Sequence, residues 1–74
     1  MITVELIGGP MDGEIGQYED SFETILVRQP FVRYMPGLTI REHRIHHYHK
    51  TNDFFDGRRL FVHKEITVEK VNQD

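Results

Sequence analysis

No cysteine occurs among the 74 residues. No disulfide can therefore staple the fold, and no thiolate can serve as nucleophile or zinc ligand. Tryptophan is absent as well, and Lys and Arg are missing from residues 1–24. Long apolar runs are also lacking. The longest strongly apolar stretch is Ile25-Leu26-Val27, far short of the roughly 20 residues that a membrane helix needs. Met1-Ile2-Thr3-Val4-Glu5 has neither a basic start nor the apolar segment of a secretory leader. The chain is accordingly expected in the cytoplasm, with no membrane as partner. Apolar residues make up 38% of the sequence, enough for one small domain spanning residues 1–74. A chain this short buries only about 60% of its unfolded surface. Packing, a metal held by His and carboxylates, or self-association must supply the rest of its stability. Self-association is the expectation.

The net charge of −3 hides an uneven distribution. Residues 1–24 hold six acids (Glu5, Asp12, Glu14, Glu19, Asp20 and Glu23), whereas residues 25–64 hold eight bases against Glu42, Asp53 and Asp56. All five His lie in that middle block, and their full protonation would turn the net charge from −3 to +2. Two readings are open: the asymmetry marks a charged partner, or acidic and basic strands pair with one another across a sheet.

The apolar period is two through most of the chain, which predicts strands. Ile2, Val4 and Leu6 alternate with polar residues, and Gly8-Gly9-Pro10-Met11-Asp12-Gly13 then turns the chain. Glu14 to Tyr18 reads as a short return strand at a sheet edge, and Thr24 to Arg28 as a central strand. Pro30, Pro36 and Gly37 leave Phe31 to Tyr34 at best a short extended piece. Leu38 and Ile40 differ in parity from Ile45, so residues 38–50 form either one strand with a bulge near Glu42-His43 or two elements. A helix over 39–50 is the weaker alternative, because His, Thr and Tyr are poor helix formers. Asp56-Gly57 between Phe54-Phe55 and Leu60-Phe61 is a strong hairpin signal. Ile66 and Val68 complete a last strand. The expected fold is mainly β, a small antiparallel meander or half-open barrel of five to six strands.

An apolar strand followed by Gly-Gly-Pro-x-Asp-Gly resembles the opening of short uncharacterised proteins of phages and bacteria. In those, a His/Arg/Tyr-rich strand precedes a Gly turn and an aromatic strand, matching His43, Arg44, Tyr48, Gly57 and Phe61 here. The resemblance implies a phage-like context and no particular activity.

The most distinctive segment is His43-Arg44-Ile45-His46-His47-Tyr48-His49. On a strand, His43, Ile45, His47 and His49 share one face, and Arg44, His46, Tyr48 and Lys50 share the other. His47 and His49 have the spacing to grip one divalent metal ion. His63 from the next strand, or Asp53 from the loop, would be the third ligand. The alternative is a hydrogen-bonded polar face, since imidazole both donates and accepts. The opposite face, with Arg44, His46, Tyr48 and Lys50 joined by Arg58 and Arg59, suits a protein partner. Single-stranded nucleic acid is the alternative partner, on the middle segment that interleaves Arg28, Arg33, Arg41, Arg44, Lys50, Arg58 and Arg59 with Tyr34, Tyr48, Phe54, Phe55 and Phe61, since basic groups neutralise phosphates and aromatic rings stack on bases. Against the second stands the expectation that Phe54, Phe55 and Phe61 are needed in the core. The glycine turn lacks the Gly-Lys-Ser/Thr ending of a phosphate cradle. No nucleophile–base–orienter set is legible, so no catalytic residue is assigned and no cofactor is required beyond that candidate metal. The leading expectation is a non-catalytic binding module that contacts another protein, or itself.

Overall fold

A computed structural model of the chain describes residues 1–71. Its strands are β1 (Ile2–Ile7), β2 (Ile15–Tyr18), β3 (Thr24–Met35), β4 (Leu38–Phe55) and β5 (Arg58–Lys70), with a short 3-10 turn at Gly9–Met11. They form one curled half-barrel sheet in the order β2-β1-β5-β4-β3. Three neighbouring pairs are antiparallel, while β1 and β5 run parallel. The mainly β, mostly antiparallel half-barrel thus forms as expected, with one parallel seam between β1 and β5.

Turn chemistry places the hairpins. Asp56 and Gly57 both take positive φ (51° and 78°) between β4 and β5, the backbone that a two-residue turn needs to match strand twist. Pro36-Gly37 joins β3 to β4, with Gly37 at φ 75° after a proline whose ring fixes its own φ.

Two expectations are corrected here. Thr24–Arg28 is not central: β3 lies at the sheet edge, and Leu26 is 60% exposed. Nor does Pro30 end the strand. The Lys50 N–H donates to the Glu23 carbonyl at 2.9 Å, and every second pair from there onward exchanges backbone hydrogen bonds. Pro30 opposite His43 falls between two such pairs, so the ladder asks no N–H of it. Its ring faces the free edge, where it interrupts any further strand pairing.

Residues 38–55 are one strand, and its irregularities lie between His47 and Tyr48 and between Lys50 and Phe54, not at Glu42-His43. At the first, pairing jumps from His47–Glu65 to Tyr48–His63, leaving Lys64 as the extra residue of a β-bulge on β5.

The core is small: Val4, Leu6, Ile25, Tyr48 and Phe61 are buried, with Ile2, Met11, Tyr18 and Val27 packed against them. Each large member contributes roughly 1.5–3 kcal/mol by burial. Phe54 and Phe55, expected in this core, are 61% and 63% exposed beside the β4–β5 turn. β1 pairs with β5 only along Arg59–Val62, but β3, β4 and β5 continue well past it. They form a three-stranded arm, and the molecule measures 51 × 20 × 17 Å. Among the described residues no helix is long and apolar enough to cross a membrane.

Candidate functional site

The strand register sorts the histidines onto two faces. On the inner face, the His46 Nε2–H donates to Gln29 Oε1 at 2.9 Å, leaving Nδ1 to accept from His63 Nε2 at 3.0 Å. Burial lowers the pKa of His46, and the neighbouring His63, Arg44 and His47 charges push it the same way. Tyr48, fully buried, ties the glycine turn to the sheet. Its hydroxyl donates to the Gly8 carbonyl at 2.7 Å and accepts from the Met11 N–H at 3.1 Å. Gly9 lies so close that a Cβ there would meet Tyr48 Oη at 2.5 Å and His63 Cδ2 at 2.6 Å.

The outer face carries a second cluster. His47 Nδ1 and His49 Nε2 stand 3.8 Å and 3.9 Å from the same Glu65 oxygen. His47 Nε2 is 2.9 Å from Thr67 Oγ1. The buried His49 Nε2 atom has no hydrogen-bond partner. The set His47, His49 and His63 does not assemble. An unbroken ladder would set His63 opposite His49; the Lys64 bulge advances the register by one, which turns His63 to the inner face. Glu65, opposite His47, occupies the outer face instead. Asp53 lies within the second irregularity, where its N–H bonds Thr51 Oγ1.

The basic candidates do not form one open surface. His46 and Tyr48 are interior. Lys50 donates to the Asp20 carbonyl at 2.7 Å and sits 3.8 Å and 3.9 Å from the Asp20 and Glu23 carboxylates. Arg58 binds Glu5 at 2.8 Å and Asp56 at 3.2 Å. Acidic and basic segments therefore pair across the sheet, as one of the two charge readings holds. Arg59 donates to the Thr51 carbonyl and lies over the Phe54 ring, 4.8 Å from its centroid. Arg58 lies 5.5 Å from the Phe55 centroid.

Arg44 belongs to the arm. Its guanidinium lies 3.8 Å over the Phe31 ring, and it flanks Glu42 together with Arg33 at 3.9 Å and 3.8 Å. Register puts Phe31, Met35, Leu38, Ile40, Ile66 and Val68 on the same inner face as the core. Met35, Leu38, Ile66 and Val68 are each at least 50% exposed, because β1 and β2 do not reach them. The outer face differs: Val32 and Tyr34 lie beside Arg41 and Thr39. Sequence periodicity marks each of these positions as apolar; which strands go uncovered depends on sheet order, which it does not encode. No enclosed pocket forms among the described residues. Compared with protein-family models, curated proteins and solved structures, the chain matches none.

Proposed function

We propose that this chain is a non-catalytic protein-binding module that associates with a second copy of itself through the inner face of its arm. The observation that carries the reading is the set of apolar side chains Phe31, Met35, Leu38, Ile40, Ile66 and Val68 on the inner face of the arm, beyond the reach of β1 and β2 and interleaved with Arg33, Glu42 and Arg44. A monomer leaves it in water, while sheets packed face to face about 10 Å apart cover it at once. Two further features favour a second copy. Among the described residues, the five buried apolar side chains make a thin core. Pro30 interrupts strand pairing along the β3 edge, which disfavours that route of association. Sedimentation equilibrium over a roughly hundredfold concentration range tests this by mass action. The expected mass rises from 8.8 kDa toward twice that value. A constant 8.8 kDa contradicts the proposal.

A second reading rests on the β4–β5 turn, where exposed Phe54 and Phe55 are paired with Arg59 and Arg58. Exposed rings beside guanidinium groups suit stacking on unpaired bases. Titration with single-stranded oligonucleotides tests it: affinity should fall as salt rises, and no binding at low salt excludes it.

A further inference from the structure

We propose that His47 Nδ1, His49 Nε2 and Glu65 Oε1 bind a divalent transition-metal ion of the zinc type. The site is independent of the arm, since it lies on the opposite face of the sheet.

All three donor atoms lie within 4.8 Å of one another. Around a tetrahedral ion, ligands at about 2.0–2.2 Å stand about 3.4 Å apart. The observed 3.8 Å and 3.9 Å from each imidazole to Glu65 are too long for hydrogen bonds. They are close to the spacing that an ion between them requires.

The surroundings suit a ligand set. His47 Nε2 lies 2.9 Å from Thr67 Oγ1, a hydroxyl that can accept its proton and so support an imidazole bound to an ion through Nδ1. His49 Nε2 is a buried ring nitrogen without a hydrogen-bond partner, a cost that an ion would remove. Leu26 and Val62 stand opposite His47 and His49, thinning the water around the donors. Two imidazoles and one carboxylate select zinc, nickel, cobalt or copper over magnesium or calcium. Three protein ligands leave a fourth position for water or a ligand. The ion would clamp β4 to β5 beside the Lys64 bulge.

Calorimetric titration of the chelator-treated protein with zinc tests the proposal. One ion per chain is expected, with a rise in melting temperature. Glu65→Gln should weaken binding at least tenfold, and it should leave the apo fold intact because Glu65 is exposed. His49→Ala should do the same, and Thr67→Val should weaken binding about tenfold through the lost supporting bond. His43, on the same face but paired only with Glu69 at 3.7 Å, is the control: His43→Gln should bind zinc as the wild type does. The proposal is overturned if zinc does not bind, if Glu65→Gln binds it unchanged, or if His43→Gln loses it equally.

Discussion

His63 Nε2 lies 3.0 Å from His46 Nδ1 on the inner face of the sheet, although a regular ladder would have placed His63 beside His49 on the outer one. The single extra residue Lys64 makes the difference. It divides a histidine-rich segment into an interior hydrogen-bonded pair and an exterior cluster with Glu65, and the two respond to different variables.

The interior pair makes stability depend on pH. The folded-state pKa of His46 is lowered below its ordinary value of 6.5, first by burial and then by His63, Arg44 and His47. The unfolded chain therefore binds more protons than the folded one, so stability rises with pH. It is fully present above about 6.5 and is lost as pH falls from there through the folded pKa. Urea unfolding from pH 5 to 8 should show a falling midpoint on the acid side, and His46→Gln should flatten it. An acid limb that is identical in the variant would sink this assignment.

Removing the Tyr48 hydroxyl leaves the Gly8 carbonyl and the Met11 N–H without their partner. Tyr48→Phe is expected to cost about 1–3 kcal/mol, measured by denaturant unfolding. A loss below about 0.5 kcal/mol would mean that water replaces both bonds.

Gly9 and Gly13 both have positive φ, but only Gly9 has neighbours that a Cβ would strike. Gly13→Ala should therefore cost about 1–2 kcal/mol, the backbone term alone. Gly9→Ala should cost clearly more, because it drives the turn off Tyr48 and His63. Equal losses in a melting comparison would show that the turn does not rest on those rings.

At the β4–β5 turn, Phe54→Ala removes an exposed ring and should change stability by no more than about 0.5 kcal/mol. If this turn contacts single strands, the same change should cost about 1–3 kcal/mol in oligonucleotide affinity. An affinity unchanged by Phe54→Ala and Phe55→Ala together would remove the turn from consideration.

Much of this architecture is legible in the residues themselves. Alternation places Val4, Leu6 and Phe61 inward, and Asp56-Gly57 announces its turn because only special residues tolerate positive φ. The glycine turn after Leu6 is legible for the same reason. The parallel pairing of β1 with β5 is not, since it joins segments more than fifty residues apart and no local signal specifies it. Pro30 misleads because the rule that it breaks strands concerns hydrogen-bonded positions, and hydrogen-bonding parity is known only from the register. The outer cluster is half legible: His47-x-His49 declares itself, but Glu65 becomes its partner only through pairing across the sheet. Phe54 and Phe55 show the limit of composition, because a shortage of apolar residues does not dictate which of them the core takes.

The central claim is that the inner face of the arm, and not the outer face of the same strands, joins two copies. Val68 is 55% exposed on the inner face, and Tyr34 is 82% exposed on the outer one; neither is part of the buried core. Sedimentation equilibrium of Val68→Glu beside Tyr34→Glu compares the two faces directly, since a carboxylate set into an apolar interface opposes association even opposite Arg44 of its own sheet. The account predicts that Val68→Glu sediments as an 8.8 kDa monomer while Tyr34→Glu keeps the concentration-dependent mass of the wild type. Association that persists in Val68→Glu, or that is lost only in Tyr34→Glu, would contradict it.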